Sequence, residues 1–211
     1  RLKPLRLPSG TGPMEPRHRK YLTKRGFDRE RLEREWGLLG TGPVSKLDHK
    51  DYSNRILVPI RWDGEMVSFQ TRAIRSPSKK DPMKYKTCPR DRETIHHKHI
   101  LYGKPDKWSQ VGLCVEGITD VWRLGDAAFA TLGIKFTHYQ ARVIANRFSR
   151  VFVLFDNDPQ AIKQAGVLRA TLNFRGLEVI KIDLTTDPAD LPEEDARALV
   201  KELLNKPYIV K

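Results

Sequence analysis

The stretch VFVLFDNDPQAIKQAG, residues 151–166, decides the fold of this chain. It opens with an apolar run, Val151 to Phe155, whose valines and aromatics are typical of a strand buried on both faces. Asp156 and Asp158 follow where that strand ends, which is where open α/β sheets bind ligands. The pair predicts either a capping turn, with Asp158 as the N-cap of the next helix, or a metal site. This stretch alone leaves both interpretations open.

The second half of the chain alternates apolar runs with helical patterns. Apolar runs lie at 113–115, 129–133, 151–155 and 177–183, and a helical pattern follows each of them. Gly176 stands in the usual stop position of the helix that follows Pro159. This alternation implies right-handed βαβ crossovers and a mainly parallel sheet. We therefore predict an α/β fold, α+β overall, with a Rossmann-like, mainly parallel sheet that has helices on both faces and is preceded by a smaller basic mixed α+β subdomain.

The net positive charge is confined to the first half of the chain. Residues 1–110 carry 26 Lys and Arg against 13 Asp and Glu, whereas residues 111–211 carry 13 of each, so the whole net charge of +13 lies in the first half. Lysines and arginines that neutralise phosphates release condensed counterions, so this asymmetry favours nucleic acid as a partner. The alternative is a surface that is basic only for solubility.

Cysteine and histidine usage limits the class of site. The chain has two cysteines, Cys88 and Cys114, which exclude a disulfide framework and a four-cysteine zinc site. The HHKH tract at 96–99 lacks paired cysteines and a regular ligand spacing, so no zinc is expected in this chain. No apolar run approaches the roughly 20 residues of a membrane helix, so we expect a soluble intracellular protein with no membrane partner.

Three acidic pairs follow predicted strands. They occur in VEGITD, FDNDP and TTDPADL, and their members are Glu116 with Asp120, Asp156 with Asp158, and Asp187 with Asp190. Like charges gathered at one edge repel one another unless protons or cations hold them together. Hard oxygen ligands without His or Cys point to Mg²⁺ or Mn²⁺. The three pairs together favour a catalytic metal site over capping.

These motifs resemble a known family. VEG at 115–117, followed by FDNDP, resembles the signature of the TOPRIM superfamily, and the VEGITD and DPADL forms are most similar to DnaG-family DNA primases, as in a phage or plasmid version. In the first half, YLTKRGFDRERLEREWGLL, NRILVPIRWDGEMVSFQTRAI, MKYKTCP and HHKHILYG resemble successive stretches of the primase catalytic core. The similarity runs from about Tyr21 to about Leu191.

The resemblance implies a reaction and a set of site residues. The family synthesises short RNA primers from NTPs on single-stranded DNA, in a two-metal site that uses Mg²⁺ or Mn²⁺. The residues implied as metal ligands are Glu116, Asp120, Asp156, Asp158, Asp187 and Asp190, of which the first four are also the candidate catalytic residues. The residues implied in nucleotide or template binding are Arg25, Arg55, Arg72, Lys84 and Lys98. Asp190 departs from the family pattern, because it lies three residues after Asp187 rather than two.

The expected partners follow from the same resemblance. They are the single-stranded template, NTPs, the RNA–DNA hybrid product and a replicative helicase bound through a region outside this chain, at a cytoplasmic replisome. We expect a basic linker over 1–20, an N-terminal core subdomain over 21–110, a TOPRIM domain over 111–192 and a helical segment over 193–211. Two alternatives remain open: a TOPRIM metal-dependent nuclease or topoisomerase-like enzyme, and a non-catalytic nucleic-acid-binding protein.

Overall fold

The structure is a computed structural model that describes residues 4–76, 78–79 and 81–207. The chain divides into two compact units, Arg1–His97 and Lys98–Lys211. Within the described residues, no helix combines the length and the apolar composition needed to cross a membrane. The segment predicted as a linker contains a short strand at Thr11–Gly12 and the start of a helix at Pro16–Lys24. The division into four segments stays a prediction.

The first unit is built on an antiparallel sheet. Its strands, in spatial order, are β1 (Thr11–Gly12), β2 (Leu39–Thr41), β5 (Arg55–Trp62), β6 (Glu65–Ala73) and β7 (Tyr85–Thr87). A separate two-stranded hairpin consists of β3 (Lys46–Leu47) and β4 (Lys50–Asp51). Two helices, α1 (Pro16–Lys24) and α2 (Arg29–Trp36), precede β2 in the chain. The β5–β6 hairpin turns at Asp63-Gly64, where φ is positive at both residues. This is the turn that an Asp-Gly pair favours, so the hairpin predicted from it is confirmed.

The second unit contains the mainly parallel sheet. Its strands are β8 (Tyr102–Gly103), β9 (Val111–Val115), β10 (Ala128–Ala130), β11 (Arg150–Val153) and β12 (Glu178–Lys181), in the order β12-β11-β9-β10-β8, and its helices are α3 (Ile118–Leu124), α4 (His138–Arg147), α5 (Pro159–Phe174) and α6 (Glu193–Asn205). Only β8 is antiparallel to its neighbour. The predicted α/β class, with its mainly parallel sheet, is confirmed.

The chain direction places helices on both faces of this sheet. The α3 crossover runs outward from β9 to β10, whereas the α4 and α5 crossovers run the opposite way, to β11 and then β12. Right-handed crossovers that run in opposite directions put their helices on opposite faces. In agreement, α4 packs against α5 and α3 packs against α6. The carboxyl ends of β9, β10, β11 and β12 therefore share one edge.

The centre of this sheet is closely packed around a glycine. A Cβ at Gly112 would lie 2.6 Å from Phe148 and 2.7 Å from Phe129. Those two rings are stacked with their centroids 4.7 Å apart, and both are buried. The close approach leaves no room for a side chain on β9 at this point.

We predict that Gly112→Ala lowers the free energy of unfolding by about 1–3 kcal/mol, because the methyl group overpacks this site. The matched control is Gly166→Ala in the exposed part of α5, where no atom lies within 4 Å of the added Cβ. Alanine is the better helix former, so the control should gain about 0.5–1 kcal/mol. Urea unfolding of both variants measures the two changes, and equal stability of Gly112→Ala and the natural chain would contradict the packing argument.

Candidate active site

The carboxyl ends of β9 and β11 are joined through a glutamate side chain. Glu116 follows β9 directly, and its Oε1 accepts a hydrogen bond of 2.9 Å from the backbone N–H of Asp156. Leu154 N–H also donates to Cys114 O at 2.9 Å, which extends the pairing of the two strands past the end of β11. The side chain of Glu116 and the backbone of Asp156 are thus fixed next to each other at the shared edge, as the strand order predicts.

Asp120 connects this edge to the third acidic segment. It lies in the first turn of α3, and its Oδ2 accepts from Gly117 N–H at 2.9 Å while its Oδ1 accepts from Ala189 N–H at 3.2 Å. Ala189 belongs to the 3-10 turn Pro188–Asp190, which Asp187 precedes. Asp120 itself is only 6% exposed. A buried carboxylate held by two backbone donors is rigid, and it brings the 187–190 segment to the β9–α3 turn.

The electrostatics of Glu116 and Asp120 show that negative charge is concentrated here. Burial, and next the charge of Asp156, raise the pKa of Glu116 to about 7. Burial, and next Asp156, also raise the pKa of Asp120 to about 7, and Asp187 adds to this shift. Hydrogen bonds from backbone N–H groups oppose both shifts without cancelling them. Near neutral pH each group is therefore poised between its charged and neutral forms.

Asp158 has the capping role that its sequence position allows. Its Oδ1 accepts from Gln160 N–H at 2.9 Å and from Ala161 N–H at 3.1 Å at the start of α5. Both cap bonds use Oδ1, so the cap does not require Oδ2. Its charge also contributes to the raised pKa of Glu116. The two interpretations of this aspartate are therefore compatible, because one carboxylate oxygen serves the cap and the other can face the acidic edge.

The donor chemistry of this edge suits a hard divalent cation, but within the described residues no three of its carboxylates bring ligand atoms within 4.8 Å of one another. Glu116, Asp120, Asp156 and Asp158 offer only carboxylate oxygens, and their mutual repulsion is relieved by positive charge. Asp187 adds an exposed carboxylate at the start of the 3-10 turn. Asp190 is exposed in the same turn, and its assignment as a ligand stays a prediction.

Two of the predicted phosphate-binding residues hold loops of their own units. Arg55 is fully buried, and its guanidinium donates to Asp81 Oδ2 and Met83 O at 2.6 Å each and to Lys84 O at 3.3 Å. Lys98 donates from Nζ to three backbone carbonyls at 2.8–2.9 Å, and burial lowers its pKa to about 8; the three acceptors are Thr131, Leu132 and Lys135. Both side chains hold the backbone of a loop in position through its carbonyl groups. Phosphate binding by either residue stays a prediction.

The other three predicted residues are more accessible. Arg72 Nε donates to Tyr21 Oη at 2.9 Å, and the Arg72 guanidinium lies 4.6 Å from the centroid of the Tyr85 ring. Lys84 is exposed, on the segment that Arg55 holds. Arg25 ends α1 and is partly exposed. In the first unit, Glu93, His96 and His97 form a polar cluster that was not predicted from the HHKH tract alone. The Glu-x-x-His-His spacing was the available signal.

Comparison with known proteins identifies the fold. No family model matches the chain, and no curated protein matches it. Several solved structures do. The zinc-binding and RNA polymerase domains of the Aquifex aeolicus primase are 21% identical with a TM-score of 0.68, covering 87% of this chain and 55% of theirs. A DNA primase domain from Pseudomonas aeruginosa is 19% identical with a TM-score of 0.71, covering 89% and 70%. A DnaG primase catalytic domain bound to single-stranded DNA is 22% identical with a TM-score of 0.71, covering 88% and 70%.

These likenesses extend over most of both units. The chain has the fold of the DnaG-type primase catalytic core, and the fold expected from the resemblance is confirmed. The chain spans 55% of the length of the Aquifex aeolicus structure.

Two substitutions at Asp158 distinguish its role as a helix cap from a role in cation binding. Asp158→Asn keeps an oxygen for the cap, so we expect its stability to stay near that of the natural chain, whereas Asp158→Ala should lose about 0.5–2 kcal/mol. Both variants should bind Mn²⁺ more weakly, because both lose the carboxylate charge. Urea unfolding together with Mn²⁺ titration distinguishes the two effects. If Asp158→Asn bound Mn²⁺ like the natural chain, Asp158 would serve as a cap alone.

The raised pKa values predict an unusual pH dependence of stability. The pKa values of Glu116 and Asp120 are about 7 in the folded protein, against ordinary values of 4.5 and 3.8. The folded state therefore binds more protons than the unfolded chain between about pH 4 and 7, and these groups stabilise the fold less as the pH rises through that window. In buffer that contains a chelator, the midpoint temperature of thermal unfolding should fall less steeply with rising pH for Asp120→Asn than for the natural chain. Unchanged slopes would contradict the assignment of the shift to this cluster.

Proposed function

We propose that this chain, which has the fold of a DnaG-type primase catalytic core, is the catalytic core of a DNA primase. It would act as a metal-dependent DNA-directed RNA polymerase that makes short RNA primers from NTPs on single-stranded DNA during replication. The observation that carries this proposal is the convergence of Glu116, Asp120 and Asp156 at the carboxyl edge of the parallel sheet, where the pKa values of the first two are raised to about 7. Such perturbed carboxylates are typical of functional sites.

The acidic edge supports a nucleotidyl transfer reaction. In this reaction a 3′-hydroxyl attacks the α-phosphate of an incoming NTP and releases pyrophosphate. Mg²⁺ or Mn²⁺ held by Glu116, Asp120, Asp156, Asp158 and Asp187 would supply the positive charge that stabilises the attacking and leaving oxygens. This donor set, with its TOPRIM-like arrangement, contains only hard oxygen ligands, which those ions prefer.

The protein residues have separate roles in this proposal. Asp120 is fixed by two backbone donors and holds its position without rearrangement. Glu116 is oriented by Asp156 N–H, and its pKa of about 7 suits either a ligand or a group that accepts the proton of the attacking hydroxyl. Since catalysis of this kind depends mainly on positioning and electrostatics, rigid carboxylates are an advantage.

The basic first half supports binding of template and nucleotide. Arg72 is held by Tyr21 and lies over Tyr85, an arrangement that presents a guanidinium beside an aromatic ring. Arginine forks match phosphate geometry, and aromatic rings stack on bases of single strands. Arg55 would act indirectly, because it fixes the carbonyl of Lys84 and so positions that exposed lysine. The similar DnaG catalytic domain is bound to single-stranded DNA, which supports the same partner for this chain.

The wider setting follows from the same proposal. The chain would work in the cytoplasm at a replisome, with the RNA–DNA hybrid as its product and a replicative helicase as a partner.

The decisive experiment is incorporation of labelled ribonucleotides on single-stranded DNA with Mg²⁺ or Mn²⁺. We expect short RNA products, and we expect Asp156→Asn and Asp120→Asn to reduce their yield by at least about 100-fold, since each removes a charge used in the transition state. Asp195→Asn is the matched control, because Asp195 is an exposed carboxylate in the first turn of α6. It should retain full synthesis.

The outcomes separate the proposed reaction from its alternatives. Metal-dependent degradation of the template without NTPs, lost in the same two variants, would assign the edge to a nuclease. Binding of single-stranded DNA with neither synthesis nor degradation would indicate a non-catalytic binding protein. Urea unfolding of each variant confirms that a lost activity reflects a lost carboxylate rather than a lost fold.

A further inference from the structure

A buried glutamate in the first unit is held against β6. Glu93 follows the 3-10 turn Arg90–Arg92, and Ser68 Oγ on β6 donates to its Oε1 at 2.6 Å. The next residue, Thr94, donates its backbone N–H to Val67 O at 2.9 Å. The side chain of Glu93 is 1% exposed. Its carboxylate is therefore fixed in orientation before any ligand is considered.

Two histidines face this carboxylate. His96 Nδ1 lies 2.6 Å from Glu93 Oε2, and His97 Nδ1 lies 2.6 Å from Glu93 Oε1. The two rings are perpendicular, with centroids 4.7 Å apart. One possible ligand atom from each of the three residues lies within 4.8 Å of the other two. Within residues 4–76, 78–79 and 81–207, no other three His, Cys, Asp or Glu side chains bring ligand atoms this close together.

The charge balance of this cluster calls for a cation. A buried carboxylate is costly unless it is paired, and in the described part of the chain the ion-pair partners of Glu93 are these two histidines rather than a lysine or arginine. Ser68 Oγ and the two imidazoles surround the carboxylate with hydrogen-bonding partners, and either a proton on an imidazole or a metal ion can balance its charge.

We propose that Glu93, His96 and His97 form a binding site for a divalent transition-metal ion, with Zn²⁺ as the preferred ion. Two imidazoles and one carboxylate are an established ligand set for zinc, and Ser68 provides the outer hydrogen bond that orients a ligating carboxylate. The histidine side chains are 24% and 15% exposed, so water can complete the coordination. The expectation of no zinc rested on the lack of paired cysteines and of a regular ligand spacing in the HHKH tract, and it did not take Glu93 into account.

The geometry requires only small side-chain movements. Tetrahedral zinc with bonds of about 2.0–2.1 Å separates its ligand atoms by about 3.3–3.4 Å. The two glutamate–histidine distances of 2.6 Å must therefore open by less than 1 Å as the metal replaces the bridging protons. Rotation of the two partly exposed imidazoles provides this opening, while Ser68 keeps the carboxylate in place. The bound ion would tie the 93–97 segment to β6.

The test measures Zn²⁺ directly on the whole chain. After treatment with a chelator, the protein is titrated with Zn²⁺ by calorimetry in excess Mg²⁺, which is added to compete for the carboxylates at the acidic edge of the second unit. Metal content is counted by mass spectrometry, and Co²⁺ serves as a spectroscopic probe of nitrogen ligands. We expect one Zn²⁺ per chain and a rise in the thermal midpoint on binding. His96→Ala and His97→Ala should each weaken binding by more than about 10-fold, since even outer hydrogen-bonding partners contribute 10–100-fold.

The control and a second variant keep the test decisive. His49→Ala removes an exposed histidine between β3 and β4 and should bind Zn²⁺ like the natural chain. Glu93→Gln keeps the size of the side chain and should lose the visible Co²⁺ bands. Absence of saturable Zn²⁺ binding would overturn the proposal. Binding that survives both histidine substitutions would overturn it equally, because the ion would then lie elsewhere.

Discussion

Repulsion between carboxylates at one edge of the parallel sheet is the constraint on which the candidate site depends. The strand order makes this unavoidable, because β9 and β11 are parallel neighbours and each ends in an acidic segment. The fold does not remove the repulsion. It directs backbone N–H groups at Glu116 and Asp120 and leaves their pKa values near 7. This arrangement lowers the stability of the metal-free protein, and bound cations would relieve the repulsion.

Positive charge is used in two different ways in this chain. Arg55 is buried and Lys98 is half-buried, and both bind backbone carbonyls, so their charges stabilise loops. Arg72 and Lys84 remain partly or fully accessible and can meet an anionic ligand. A sequence resemblance assigns all four to one class because it records residue type and order. Only the hydrogen-bond partners show that a residue can be important to a nucleotide site through the backbone that it holds.

The sequence predicted the elements whose causes are local or periodic. Buried strands and the Asp63-Gly64 turn each depend on a few neighbouring residues, and the acidic edge follows from strand order. The cap at Asp158 was one of two interpretations that its position left open. The contacts that complete the site join distant parts of the chain, as Asp120 does with Ala189 and Glu116 with Asp156. Nothing in the local pattern indicates these partners. The Glu93 cluster was missed for a different reason: its spacing is short, but its significance depends on Ser68 and on burial that tertiary packing provides.

The two donor sets differ in the kind of divalent cation that they suit. The acidic edge offers carboxylate oxygens alone, which suit a small, hard ion that keeps part of its water. Glu93 with His96 and His97 offers imidazole nitrogen, for which zinc competes far better than magnesium. Excess Mg²⁺ in solution would therefore fill the edge without displacing Zn²⁺ from the cluster. Selection by ligand type alone would let the two proposed sites hold different ions in the same protein.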